Sequence, residues 1–167
     1  MIDDFIPCID DVPAFSRCAN GDIWILLLEK AWAKLNGSYE QSKKTKPHHI
    51  IKDLTGAPSF EWDVEEKTEL FSKIIDSHKN GYLMMISIKE GSVEEIKKLN
   101  DVGIQGNTAF TVTRVACFRD ENENPIQLIK LRNQWSDFKW KGDWGVDSNK
   151  WTADLKAKLG YDTNDCQ

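Results

Sequence analysis

The pattern of apolar and polar residues predicts helices in the first part of the chain. Residues 23–35 are apolar on almost every face, follow a candidate N-cap in Asn20-Gly21-Asp22 and end at Asn36-Gly37, so we predict a central buried helix. Residues 66–78 carry apolar side chains on one side only, which is typical of an amphipathic helix. The prolines within residues 2–17 indicate an irregular lead-in with one short strand.

The second part of the chain has the pattern of strands with short helices around them. Residues 82–88 are a continuous apolar run that suits a buried strand, and residues 92–99 open with a capping box that predicts a short helix. Residues 108–118 and 126–132 are rich in β-forming residues and predict a long hairpin. Residues 147–159 begin with Asp-Ser and predict a last helix. The expected class is α+β, with a mainly antiparallel sheet.

Composition and charge limit the classes of protein to consider. A chain of 167 residues that is 40% hydrophobic can form one domain with a core. Its net charge of −5 argues against attraction to nucleic acid or to an anionic membrane. The one basic segment, residues 43–52, contains Pro47, and we predict a solvated loop there rather than a helix. Neither a signal peptide nor a C-x-x-C motif is visible, so we expect reduced thiols and a cytoplasmic protein.

Four sequence blocks resemble, in the same order, the second half of the calpain protease core. They are Ile2-Asp3-Asp4-Phe5-Ile6-Pro7, residues 28–40 (LEKAWAKLNGSYE), Asp53-Leu54-Thr55-Gly56, and residues 128–144, in which LIKLRNQW is followed by W-x-G-x-W. The resemblance implies a papain-like architecture, in which a lobe with the catalytic Cys faces a second lobe with the His and the Asn. It assigns residues 1–160 to that second lobe, a mainly antiparallel sheet flanked by helices, and leaves residues 161–167 as a C-terminal tail.

The resemblance assigns two candidate catalytic positions. Asn133 aligns with the family's catalytic Asn, and Thr108 aligns with the His of the family's Gly-His-Ala-Tyr-Ser-Val strand. A thiol protease needs an imidazole to accept the proton of its cysteine, whereas a threonine hydroxyl has no proton equilibrium near neutral pH. Losing such a group costs roughly four to six orders of magnitude in rate. We therefore interpret Asn133 as a structural residue whose amide bonds to the backbone under Trp135.

No other cysteine or histidine is expected to rebuild the catalytic pair. The Cys-lobe motif of the family, QGxLGDCW, does not occur in the sequence, and Cys117 is expected near a strand end as a small core residue. The other cysteines lie in the lead-in or next to the C-terminus: Cys8, Cys18 and Cys166. His48 and His49 fall in the basic segment, and His78 ends a predicted helix, where the helix dipole is reason enough for a histidine.

The calcium site that the resemblance implies is also altered. Calpains bind Ca²⁺ through acidic and carbonyl oxygens of the loops after the catalytic Asn, and Lys139 and Val146 align with two of the acidic ligands. Lysine repels a cation and valine offers no side-chain oxygen. The acidic residues nearby are scattered loop carboxylates: Asp137, Asp143 and Asp147. We therefore predict that calcium binding is lost and that the chain uses no cofactor.

Two further features admit a functional and a structural interpretation. Trp135, Trp140 and Trp144 form either the wall of a substrate cleft or the packing core of a loop, and without the Cys lobe we favour packing. The basic segment 43–52 either binds nucleic acid or acidic tubulin tails or is a solvated loop. It has no interleaved aromatic residues, which favours the loop.

The main hypothesis is a catalytically inactive calpain-like domain that serves as a protein-interaction or structural module, in a cytoskeletal or ciliary setting. Such a lobe would expose the surface that packs against the Cys lobe, so we expect a protein partner or an upstream domain to cover it. The alternative is half of a calcium-dependent cysteine endopeptidase whose Cys lobe lies upstream. A decoy that binds the substrates or inhibitors of active relatives is a third, weaker reading.

Overall fold

The computed structural model of this protein describes residues 1–18, 20–42, 45–64, 69–88, 91–120, 123–133 and 138–161. It combines helices with antiparallel sheets, which confirms the predicted α+β class. The chain forms two compact units, Met1–Ser59 and Phe60–Gln167. Within the ranges just given, no helix combines the length and the apolar character that crossing a membrane requires.

The first unit opens with a small hairpin and continues with three helices. Strands β1 (Cys8–Ile9) and β2 (Val12–Pro13) pair antiparallel, where one short strand was predicted. The two turn residues, Asp10 and Asp11, have φ of 50° and 61°, the left-handed conformation that a two-residue hairpin turn requires and that Asp tolerates. The helices are α1 (Trp24–Leu35), α2 (Tyr39–Ser42) and α3 (Pro47–Thr55).

Helix α1 lies where the sequence predicts a helix, but the expectation of a central buried helix is wrong. Its buried residues are only Leu26, Trp32 and Ala33, whereas Trp24 is 59% exposed and Leu35 is 76% exposed. The unit supplies only short elements to cover α1, so apolar residues around the whole helix cannot all find neighbours. The expected N-cap is also unused, because the N-cap residue is Ile23 and makes no side-chain capping bond.

The loop predicted for residues 43–52 is wrong from Pro47 onwards. Helix α3 begins at Pro47 and ends at Thr55, and the N–H of left-handed Gly56 donates to the carbonyl of Lys52 at 2.8 Å. Proline is tolerated at the first helical position because its fixed φ suits the first turn and its missing N–H would have no partner there. Lys43 and Lys44 lie outside the described residues.

The second unit contains helices α4 (Leu70–Lys79), α5 (Val93–Asp101) and α6 (Ala153–Leu159). The predicted capping box of α5 is confirmed, since the N–H of Glu95 donates to Ser92 Oγ at 3.3 Å and the N–H of Ser92 donates to Glu95 Oε2 at 2.8 Å. The start of the predicted 66–78 helix lies outside the described residues. Helix α6 starts later than predicted and is capped by Thr152 in place of Asp147-Ser148.

A three-stranded antiparallel sheet, in the order β3–β4–β5, organises the second unit. Strands β4 (Ala109–Arg119) and β5 (Pro125–Arg132) form the predicted long hairpin, and Phe110 is buried. Strand β3 (Met85–Ser87) is shorter than the predicted 82–88 run. The N–H of Tyr82 donates to Ser77 at the end of α4, so the chain joins the sheet only from Met84, whose carbonyl accepts from β4.

Candidate functional site

The antiparallel hairpin brings the two candidate catalytic positions to the same end of the sheet. Thr108 directly precedes the first residue of β4, and Asn133 directly follows Arg132, the last residue of β5. Because Thr111 pairs with Arg132, the start of β4 lies beside the end of β5. The relation between positions 108 and 133 therefore follows from the strand pairing alone.

The side chain of Thr108 is engaged in a local turn. Its hydroxyl donates to the carbonyl of Gly106 at 3.1 Å, and its own carbonyl accepts the N–H of Ile88 at 3.1 Å, next to β3. The residue is half-buried. A hydroxyl in this position can orient or donate, but it cannot take a proton from a thiol near neutral pH.

The side-chain amide of Asn133 bridges the segment that follows β5. Its Nδ2 donates to the carbonyl of Phe138 at 2.7 Å, in a partly buried setting. This bond fixes the end of the strand to the start of residues 138–151, which we call the tryptophan loop. Trp135, expected to cover Asn133, lies outside the described residues, as does Asp137.

Two tryptophans of the loop belong to an aromatic cluster. Trp144 makes edge-to-face contacts with Phe118 at 5.7 Å and with Trp151 at 5.0 Å between ring centroids, and Trp151 lies 4.5 Å from Tyr161. The indole N–H of Trp151 donates to the carbonyl of Gly145 at 2.8 Å. Such pairs add stability beyond the area they bury. Sequence reasoning missed Phe118 and Trp151, because their partners lie at least seven residues away along the chain.

Trp140 closes the first turn of the loop. Its indole N–H donates to the carbonyl of Asp143 at 2.7 Å, although the side chain remains 45% exposed. A Cβ at Gly142 would lie 2.3 Å from the Trp140 ring, so only glycine leaves room for this turn. Two of the loop's three indole donors, those of Trp140 and Trp151, therefore bond to backbone carbonyls of the loop.

The loop also packs closely against the end of α5. Gly103 has a φ of +87°, and a Cβ placed there would lie 1.7 Å from the carbonyl oxygen of Lys139. The N–H of Lys141 donates to the carbonyl of Val102 at 3.0 Å. These contacts connect the loop after Asn133 to a helix that precedes β4.

Comparison with known proteins decides the family. Over residues 1–167 the sequence matches the family described as calpain family cysteine protease. It is 33% identical to calpain-9 of Mus musculus over 166 residues, which are 96% of this chain and 24% of that protein. The chain belongs to the calpain family. It is also 29% identical to the calpain-1 catalytic subunit of Mus musculus, over 90% of this chain and 21% of that protein.

A calpain-type cysteine protease of Oryza sativa subsp. japonica is 32% identical, over 96% of the chain and 8% of that protein. The chain thus spans about a quarter of the length of calpain-9, and less of the rice protein. The family resemblance that the sequence motifs indicate is therefore confirmed across the whole chain, and it concerns one part of a calpain.

The two positions predicted from the resemblance to match calcium ligands carry an exposed lysine, Lys139, and a half-buried valine, Val146. The carboxylate of Asp143 accepts a bond from Lys150 Nζ at 2.6 Å, and Asp147 is exposed. Among the residues that the structure describes, no group of three or more His, Cys, Asp or Glu side chains is arranged to hold a metal ion.

The described cysteines and histidines belong to several separate elements of the two units. Cys117 lies near the far end of β4, nine positions or about 30 Å of strand from Thr108, and it is exposed, so the prediction of a core residue is wrong. In the first unit, Cys8 is exposed and Cys18 is half-buried, both as free thiols. The rings of His48 and His49 lie 4.2 Å apart in the first turn of α3. Cys166 lies outside the described residues.

Proposed function

We propose that this chain is a catalytically inactive calpain domain that serves as a protein-interaction or structural module. The sequence resemblance aligns Thr108 with the calpain His, and one observation supports the proposal: the Thr108 hydroxyl donates to the carbonyl of Gly106. A proton acceptor is required there, and threonine supplies a donor whose hydrogen is already engaged. Asn133 then has no imidazole to orient, and its amide holds the loop instead.

The position of Cys117 in the second unit argues against its use as a nucleophile at the candidate site. Cys117 lies about 30 Å along β4 from Thr108, and His78 lies in the last turn of α4. A nucleophile must be within hydrogen-bond reach of the group that activates it. We infer no alternative nucleophile beside Thr108 among the described residues of this unit.

The exposed apolar side chains support a role in binding another protein or domain. On α1 and its N-cap, Ile23 is 64% exposed, Trp24 59% and Leu35 76%. In the second unit, Tyr82 and Leu83 are 66% and 70% exposed. Exposed apolar side chains are commonly covered by a partner where they form a contiguous patch. The proposed partner is a protein or an upstream calpain domain, in the cytoplasm and in a cytoskeletal or ciliary assembly.

The decisive experiment uses the full polypeptide that contains this domain. We expect no hydrolysis of a fluorogenic calpain peptide and no labelling by a thiol-reactive peptide inhibitor, with or without calcium. An active calpain treated in parallel is the positive control. Calcium-dependent labelling of the polypeptide would contradict the proposal.

The alternative function is half of a calcium-dependent cysteine endopeptidase whose Cys lobe lies upstream. It is favoured by one observation, that the chain corresponds to only 24% of calpain-9. Wild-type activity separates the two functions in the full polypeptide. If the chain is half of an active endopeptidase, the wild type should hydrolyse the calpain peptide in calcium without any substitution. If the domain is inactive, the wild type should show no hydrolysis, and a gain of several orders of magnitude in Thr108→His would show that Thr108 is the cause.

A further inference from the structure

We propose that the ammonium groups of Lys141 and Lys150 hold the tryptophan loop in its folded form, so that this loop needs no calcium ion. The proposal rests on the contacts of the loop itself. It is independent of whether the domain is catalytically active, because neither lysine contacts Thr108 or Asn133 through the bonds described below.

The residues at the aligned ligand positions do not fit a calcium ion. Ca²⁺ takes about six to eight oxygen ligands, with carboxylates prominent among them. Lys139 brings a positive charge to one position, and Val146 brings no oxygen to the other. The carbonyl of Lys139 fills the space beside Gly103, since a Cβ there would lie 1.7 Å from its oxygen. That carbonyl is therefore committed to packing against the backbone after α5.

Lys141 supplies positive charge at the end of α5. Its Nζ donates to the carbonyl of Asp101, the last residue of that helix, at 3.2 Å, while its backbone N–H donates to Val102 at 3.0 Å. The last carbonyls of a helix lack partners within the helix and form the negative end of its dipole. A cation placed there satisfies an acceptor and stabilises the helix end at the same time. The two bonds join the loop to α5.

Lys150 supplies positive charge inside the loop. Its Nζ lies 2.6 Å from Asp143 Oδ2, seven residues earlier. The backbone carbonyl of Asp143 accepts the indole N–H of Trp140, and the adjacent Trp151 bonds to Gly145, so the ion pair spans the turns that these indoles close. The side chains of Lys150 and Asp143 are 45% and 70% exposed, so the pair contributes modestly and is weakened by salt.

The test is thermal unfolding of the intact protein in calcium chloride and in EGTA, followed by far-UV and near-UV circular dichroism. The wild-type Tm should differ by less than about 1 °C between the two solutions, because a ligand that binds only the folded state raises Tm. Lys141→Met should lower Tm by about 2–4 °C, the shift expected in a protein of this length when an exposed cation worth about 1 kcal/mol is removed from a helix end. Lys150→Met should lower it by about 1–2 °C.

The matched control is Lys97→Met, which removes one positive charge from an exposed position in the middle of α5. Its Tm should stay within about 1 °C of the wild type. A wild-type Tm that rises by several degrees in calcium and not in magnesium would overturn the calcium-independent loop. Equal losses in Lys141→Met, Lys150→Met and Lys97→Met would overturn the role of the two lysines. Neither result depends on the protease assay, so the two proposals fail separately.

Discussion

Helix α1 and the tryptophan loop are both rich in large apolar side chains, yet the loop packs two of its three tryptophans against each other. Trp144 and Trp151 meet edge to face at 5.0 Å, and the Trp151 indole finds a backbone acceptor in Gly145. Trp24 and Leu35 of α1 are exposed. The difference shows that apolar content alone does not decide burial. An apolar side chain is buried only if its own unit supplies neighbours to pack against it. The loop has them, whereas Trp24 and Leu35 stay exposed in the first unit.

The largest expected effect tests whether the loop depends on its close contact with α5. Gly103→Ala should destabilise the protein by about 2–5 kcal/mol, because it adds left-handed strain to a 1.7 Å clash with the Lys139 carbonyl. Urea unfolding measures the loss. Gly81→Ala is the matched control, since Gly81 has a φ of +72° but open space around its Cβ position. Equal losses in the two variants would show that the contact is unimportant.

The second expected effect compares the two regions directly. Trp151→Ala should cost about 2–3 kcal/mol, below the range for a fully buried tryptophan because the side chain is half-buried. Trp24→Ala, on the exposed face of α1, should change the free energy of unfolding by less than about 0.5 kcal/mol. Urea unfolding of both variants measures the difference. Similar losses would mean that α1 is as well packed as the loop.

The third effect concerns association more than stability. If a partner covers α1, the double variant Ile23→Ser and Trp24→Ser should weaken the binding of that partner or of an upstream domain at least tenfold, because each large apolar side chain contributes about 1.5–3 kcal/mol when buried. Sedimentation and affinity measurements on the full polypeptide check this. The free energy of unfolding of the isolated domain should remain nearly unchanged, and a large drop would show that these residues are core.

The elements predicted correctly from sequence are those whose signals are local. The capping box needs only Ser92 and Glu95, which lie within one helical turn, and it is present as expected. The β4–β5 hairpin needs two β-rich runs and a polar connection, and its pairing then fixes where Thr108 and Asn133 lie. Those two side chains bond to the carbonyls of Gly106 and Phe138. The pattern of apolar and polar residues does not predict these partners.

The wrong or missing predictions have two causes. One is the position of a residue within its helix, and the other is contact between residues that are far apart in the sequence. Pro47 was treated as a helix breaker, yet at the first helical position it starts α3. The aromatic cluster was missed because Phe118 and Trp144 come from a strand and a loop that are separated by the whole of β5. The lysine contacts were missed for the same reason, because they join distant parts of the chain. Lys141 bonds to the end of α5, forty residues earlier. Composition alone cannot predict such partners.

The smallest expected effects concern one carboxyl group in each unit. The pKa of both groups is lowered, but by different causes. In the first unit, the ammonium of Lys30 lowers the pKa of Asp3 below its ordinary value of 3.8, with help from the backbone of Phe5. In the second, the backbone N–H and then the hydroxyl of Ser92 lower the pKa of Glu95 below 4.5. Both carboxylates therefore stabilise the fold above their unfolded pKa, and that contribution disappears as pH falls through the folded value.

High salt should raise the pKa of Asp3 more than that of Glu95. Salt screens an ion pair at the protein surface, whereas it does not screen a hydrogen bond to neutral donors. At about 1 M salt the screening length is about 3 Å. The pKa of Asp3 should then rise toward 3.8, while that of Glu95 should stay low. Titration of the side-chain carboxyl carbons by NMR at low and high salt measures both values in one sample. Ser92→Ala should raise the pKa of Glu95 and leave that of Asp3 unchanged. A parallel rise of both pKa values in salt would mean that general electrostatic effects, and not the capping box, lower the pKa of Glu95.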